Sequence, residues 1–264
     1  MGRIKNTSLF IVLFTSFIFS SCLKIGEYYL GLNMQPNMED SPPIEGLNVF
    51  GVVKTGPTLD TINHFFEVHK MIDMLKLEDT LIVDNASIEL ERTTPDGESF
   101  GYFLDYSHEG LYFNTEIEVL SGDVWTYTCM YDTFMVQSAA TVPNYPKMKG
   151  DILISENKGI EFSIEKDTTA HMYMVYIISG ENFEIVQQLP HGEGDDYFKI
   201  KPEWELTRGE YMVFVFAYDR NLREYYTSSN TFFKPNAYRP PFTTVEGGYG
   251  VFGAMSSGLF MLTY

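Results

Sequence analysis

The sequence predicts an all-β protein, two β-sandwiches in tandem behind a secretion leader. Three observations predict it. Apolar or alternating runs of strand length recur between residues 47 and 218, separated by Gly, Pro, Asn and Asp turn signals. Tyrosine and phenylalanine number 18 and 21 in 264 residues, and aromatic and β-branched side chains favour pleated, half-buried strands. A corner-like run, Leu206-Thr207-Arg208-Gly209-Glu210-Tyr211, opens a long apolar stretch to Tyr218.

The leader comes first. Arg3 and Lys5 precede the apolar run Leu9 to Cys22, which ends on Ser20-Ser21-Cys22. A basic start, an apolar centre and small residues at the end make a secretion signal. A cysteine directly after them has the form of a bacterial lipobox, so residues 1–21 are expected to be removed and Cys22 to receive lipid. The alternative is a spanning helix, which needs ~20 apolar residues. This run is shorter and is interrupted by Thr15 and Ser16. Acyl chains contribute about 0.8 kcal/mol per buried CH2, so a multiply acylated N-terminus holds to a membrane without a helix.

Residues 22–43 read as a tether. Met34 to Pro43 holds prolines and acids with no apolar period. A first domain is expected over 44–146. Leu47–Val53 is its first strand and Ile62–Met71 its second, and Met71–Leu77 is a short helix or a loop. Ile88 and Leu90 alternate with Ser87, Glu89 and Glu91, a half-buried strand. Thr94-Pro95-Asp96-Gly97 is a turn, because proline pre-sets one dihedral and glycine accepts a positive one. Ser99–Tyr106 returns beside it, and 124–131 with 133–142 make a further hairpin. Pro143 and Pro146 close the domain, since proline interrupts ladder pairing.

A second domain is expected over 147–237. Ile160, Phe162 and Ile164 alternate with polar residues. Met172–Ile178 is apolar throughout and reads as a central strand, with Phe183–Leu189 as its partner. Tyr197–Ile200 follows the loop 191–196. The 206–211 corner resembles the one before strand F of immunoglobulin- and fibronectin III-like sandwiches, where the tyrosine hydroxyl bonds to upstream backbone. A Gly-rich segment, 238–264, ends the chain and is expected to pack against the second domain.

The formal net charge is -18, and removing a leader that holds Arg3 and Lys5 makes the rest more acidic. Such a field repels nucleic acid and anionic headgroups, so no nucleic-acid partner is expected. Of the two cysteines, Cys22 and Cys129, the second lies in a strand-like run and reads as a small buried hydrophobe. A Cys22–Cys129 disulfide is the alternative if Cys22 is not acylated.

The lipobox, the Gly122-Asp123-Val124-Trp125-Thr126-Tyr127 strand opening, the Thr141-Val142-Pro143 ending and the tail Val245-Glu246-Gly247-Gly248-Tyr249-Gly250-Val251-Phe252-Gly253 together resemble the lipoprotein family called domain of unknown function 4249. The resemblance covers nearly the whole mature chain. It implies an outer-membrane-type lipoprotein of a Gram-negative cell envelope, built of β-sandwich halves, beside a TonB-dependent receptor. It implies no activity.

Motifs for chemistry are weak. Gly248-x-Gly250-x-x-Gly253 has the letters of a dinucleotide fingerprint but no room for the βαβ unit that gives them meaning. Gly97-Glu98-Ser99-Phe100-Gly101 has nucleophile-elbow letters within a hairpin, and an elbow needs a strand-turn-helix. His64, His69, His108, His171 and His191 show no zinc spacing. Glu193, Asp195 and Asp196 could hold calcium, but they lack the regular ligand spacing of a calcium loop, and a solvated hairpin loop is the better reading. No catalytic residue, metal or cofactor is expected. Trp204, Tyr225, Tyr226 and Tyr238 are the candidate contact residues, as a stacking platform for sugar rings or peptide side chains. The expected function is a membrane-anchored, non-catalytic binding or accessory module, with a structural or adhesive envelope role as the alternative and an extracellular hydrolase as a third reading.

Overall fold

A computed structural model describes residues 46–57, 64–71, 82–156, 158–191, 194–227 and 243–264. The leader, Cys22, the tether, the 72–77 stretch, Glu193 and Tyr238 lie outside the described residues. The described part is all-β apart from one short helix.

The first half contains β1 (Leu47–Thr55), β2 (His64–Lys70), β3 (Ser87–Thr93), β4 (Ser99–Tyr106), β5 (Leu111–Phe113), β6 (Val124–Tyr131) and β7 (Phe134–Thr141), in spatial order β1-β2-β5-β4-β3-β6-β7. The alternation in β3 is realised: Ile88, Leu90 and Arg92 are buried, while Ser87, Glu89 and Glu91 are exposed. The expected turn closes the β3–β4 hairpin, with the Gly97 N–H donating to the Thr94 carbonyl at 2.9 Å and Gly97 at φ 87°. Arg92 points inward because Asp123 meets it. Their Nε–Oδ2 separation is 2.7 Å, and the carboxylate is fully buried. A buried carboxylate without such a partner would be costly. Trp125, Tyr127, Phe66 and Phe252 fill the core, with Tyr127 stacked between Phe66 and Phe252 at centroid distances of 6.4 and 5.1 Å. Cys129 is buried in this core, without a disulfide partner among the described residues, and burial pushes its thiol up to about 11.

The second half has two sheets. β8 (Met148–Ser155), β9 (Gly159–Ile164) and β12 (Asp196–Ile200) form the order β12-β9-β8. β10 (Met172–Ser179), β11 (Asn182–Gln188), β13 (Glu210–Tyr218) and β14 (Tyr249–Thr263) form the order β11-β10-β13-β14. The chain changes sheet between β9 and β10, between β11 and β12, and again before β13. A three-plus-four antiparallel sandwich with these crossings has the fibronectin III-like form. Phe162 and Phe198 stack at 4.8 Å between the sheets, with Tyr173 edge-on to Phe198 at 5.9 Å. The tyrosine corner is present: the Tyr211 hydroxyl donates to the Thr207 carbonyl and accepts from the Thr207 N–H at 3.0 Å.

The C-terminal segment departs from expectation in one respect. It packs on the second half, but as a strand it is shared by both halves. Residues 249–256 run parallel to β1, and residues 255–263 run antiparallel to β13. The two halves therefore share one eleven-stranded sheet. Gly250 makes the approach to β1 possible. It sits at φ 103°, and a Cβ there would lie 1.9 Å from the Val49 carbonyl oxygen. Just before β14, Glu246 and Gln137 exchange backbone hydrogen bonds of 2.8 and 3.0 Å, which covers the β7 edge. The linker between the halves is held as well. Asn144 accepts from Ser256 Oγ at 2.8 Å through its carbonyl, and the Tyr145 hydroxyl lies 2.7 Å from Thr55 Oγ1.

The helix α1 (Arg220–Thr227) was not legible in the local pattern. Asp219 caps it, accepting from the Leu222 N–H at 2.9 Å, and Arg220 pairs with Glu224 one turn on at 2.8 Å. Asn221 donates through Nδ2 to the carbonyls of Ala139 and Phe252, each at 2.8 Å, so α1 bridges β7 and β14.

Candidate functional site: an aromatic and methionine sheet face

Every second residue of β10, β11, β13 and β14 points away from the sandwich core. In most half-buried sheets this outer face is polar. Here it is apolar, and the strand registers arrange it in cross-strand rows. Phe183, Ile178, Met212 and Met261 make the first row. Ile185, Tyr176, Phe214 and Leu259 make the second, and Gln187, Met174, Phe216 and Ser257 the third. Met172, Tyr218 and Met255 continue it toward α1.

The centre of the face is packed and its margin is open. Phe214 and Phe216 are 6% and 5% exposed, whereas Phe183, Met261 and Ile185 are 64%, 61% and 46% exposed. Tyr176 stands edge-on to Phe216 at 5.3 Å, and its hydroxyl donates to Met174 Sδ at 3.3 Å. Burial pushes the phenols of Tyr176, Tyr218 and Tyr226 up, so they stay neutral donors. Aromatic residues and methionine are the types enriched where proteins meet partners, and methionine adapts to varied shapes.

α1 borders this face. Leu222 is buried against it, Tyr226 is edge-on to Tyr218 at 5.7 Å, and Tyr225 is edge-on to Phe50 of β1 at 5.8 Å. The helix can lie so close because of Gly253, where a Cβ would meet Leu222 Cγ at 2.5 Å. Asp219 holds the helix start and also donates its backbone N–H to the Ala254 carbonyl at 3.0 Å. Burial pushes the Asp219 carboxyl up to about 7, opposed by its bonds from the Leu222 and Ala254 backbone and aided by Glu224. The folded state therefore holds a proton that the unfolded state releases near its ordinary value. The stabilising contribution is fully present below that ordinary value and is lost as pH rises through about 7. Urea unfolding between pH 5 and 8 is expected to show stability falling with pH across this window. Asp219→Asn keeps the cap and is expected to flatten that slope; an unchanged slope in the variant would count against the assignment.

The three described candidate aromatic residues, Trp204, Tyr225 and Tyr226, do not gather into one platform. Tyr225 and Tyr226 are neighbours on α1, ring centroids 5.6 Å apart. Trp204 belongs to the other side of the sheet, where it stacks on Tyr211 at 6.0 Å against the sandwich core. The residues that make the outer face, notably Tyr176, Met212, Phe214 and Phe183, carry in the sequence only the signal of strand formers. Their common orientation was available in the alternation of β10 and β13, but a run apolar on both sides does not say which side is open.

The remaining motifs serve structure. Gly248, Gly250 and Gly253 lie in or beside β14, where close backbone and helix contacts require them. Ser99 starts β4, with its hydroxyl 3.3 Å from Thr93 Oγ1 across the hairpin. His64 bonds to the Ile117 carbonyl at 3.1 Å, and burial lowers its pKa. In the 191–196 loop the two described acids face different partners: Asp195 pairs with Lys149, and Asp196 with His191. Among the described residues no cluster of three metal-ligating side chains occurs.

No family model matches the chain, and no curated protein matches it. Solved structures resemble it distantly. The tetra-tandem repeat in the extending region of a large adhesion protein is 10% identical with a TM-score of 0.24, over 83% of this chain and 50% of that one. This chain therefore spans half the length of that repeat. A two-domain fibronectin type III segment of chicken tenascin is 13% identical with a TM-score of 0.23, over 67% and 91%. A cytokine receptor complex chain is 12% identical with a TM-score of 0.29, over 82% and 96%. The sandwich assignment rests on the strand order and the Tyr211 corner.

Proposed function

We propose that this chain is a non-catalytic binding module of the cell envelope, anchored through lipid on Cys22 to an outer membrane. The observation that carries the binding role is the outer sheet face, where apolar rows run across four adjoining strands and end in exposed Phe183, Ile185 and Met261. Folded proteins seldom leave contiguous apolar area of this kind open unless something binds there. The anchor is supported by the Arg3, Lys5 and Leu9–Cys22 leader. Partnership with a TonB-dependent receptor in nutrient capture is supported by the resemblance of the leader, the 122–127 strand opening and the tail to the lipoprotein family named above.

The test is fractionation of cells carrying wild-type protein or Cys22→Ala, followed by crosslinking in intact cells. Wild type is expected in the membrane fraction, and the variant in the soluble one. A receptor is expected among the crosslinked products. Equal membrane retention of both forms would remove the lipid anchor, and crosslinking with no partner would favour the structural envelope role.

A further inference from the structure

We infer that the outer edge of β11, with the apolar rows beside it, takes up an extended partner segment that alternates basic and apolar residues and adds as a further strand. This deepens the binding role proposed above and rests on it. The eleven-stranded sheet has two edges, β7 and β11, and they are treated differently. The β7 edge is covered by the Glu246–Gln137 exchange, by Ser138 Oγ donating to the Thr244 carbonyl at 3.0 Å, and by Asn221 at the Ala139 carbonyl. β11 pairs with β10 over seven consecutive residues without a bulge, and among the described residues no strand pairs with its other side. Of the usual guards of an edge, Asn182–Gln188 lacks lysine and proline and carries one charge, Glu184, whose carboxylate accepts from the Glu203 N–H at 3.4 Å. A strand laid there would continue the first two rows past Phe183 and Ile185. Main-chain bonds would give affinity and alternate side chains specificity.

Charge chooses the occupant. Beside this edge stand Glu181, at the turn that leads into it, Glu184 within it, and Glu203, whose N–H bonds to the Glu184 carboxylate at 3.4 Å. The chain as a whole stands at -18. A second copy would bring the same charge. The three rows, on strands about 4.8 Å apart, span roughly 400 Å2 with Phe214, Phe216 and Ser257 already packed within them, so the open area is less than half of what each partner contributes to a standard stable interface. A short basic and apolar segment meets both limits.

The probe is an acetylated heptapeptide alternating Lys or Arg with Ile, Phe and Val, titrated against the full chain, beside a peptide in which each base is Glu. The basic peptide is expected to bind at least about tenfold more tightly, and more weakly as salt rises. Phe183→Lys and Ile185→Lys are expected to lower its affinity about tenfold or more, whereas Leu153→Lys, on the exposed face of β8, leaves it unchanged. Tryptophan fluorescence checks that each variant is folded. Equal binding of both peptides, or full binding by Ile185→Lys, would overturn the inference. So would a concentration-dependent dimer abolished by Ile185→Lys, which would assign the edge to a second copy. Receptor crosslinking that survives Phe183→Lys and Ile185→Lys would remove this edge while leaving the envelope binding role in place.

Discussion

A chain ending at Gly248 is expected to fold in neither half. β14 supplies Phe252 and Ala254 to the first core, and Phe260 and Leu262 to the second. It also pairs with β1 on one side and β13 on the other. Losing Phe252 alone corresponds to about 3–5 kcal/mol by analogy with other buried aromatic truncations. Losing the whole strand removes several such side chains and two ladders, against a total stability of about 5–15 kcal/mol for a typical domain. Circular dichroism of the truncated chain is expected to show no cooperative thermal transition, and limited proteolysis no protected core. A resistant fragment covering 148–218 would show that the second sandwich stands without its fourth strand, and would defeat the prediction.

The second large effect is expected at Phe198. Its ring is fully buried between Phe162 and Tyr173, so Phe198→Ala is expected to cost about 3–5 kcal/mol and to lower Tm by roughly 10 °C. The effect should also reach the first half. The chain has two tryptophans, with Trp125 in the first core and Trp204 against the second. Single-tryptophan forms, Trp204→Phe and Trp125→Phe, report each half separately. The shared strand and the clamped 143–146 linker leave no independent interface to open first. Both reporters are expected to share one unfolding midpoint, and Phe198→Ala to move both together. A Trp125 midpoint that stays fixed while the Trp204 midpoint falls would mean that the halves unfold separately.

Strands whose partners are close in sequence were readable from local signals. β3 with β4 and β6 with β7 are hairpins whose alternation and turns lie within a few residues of each other, as with Thr94-Pro95-Asp96-Gly97. The Tyr211 corner was readable too, because its acceptor, the Thr207 carbonyl, is four residues upstream. β14 was not readable as a shared strand. Its partners begin at Leu47 and Glu210, and its glycines resemble coil until the Val49 carbonyl is seen beside Gly250. α1 is only two turns long, and what settles it is tertiary: Asp219 buried at its start and Asn221 bonded to two distant carbonyls.

The candidate site divides in the same way. Met172–Ile178 is apolar at every position, so its pattern fixed a strand but not which of its two faces is open. Trp204 and Tyr225 are equivalent by residue type, and only the folded sheet puts one against the core and the other beside the outer face. By itself, the order of residues determined that this is an all-β chain with a tyrosine-cornered sandwich, because alternation and turn chemistry act over a few residues. Tertiary structure alone decided that one C-terminal strand joins the halves and that an aromatic face and the β11 edge are left open, because ladder partners and burial depend on segments up to two hundred residues apart, as where Ser257 Oγ donates to the Thr55 carbonyl.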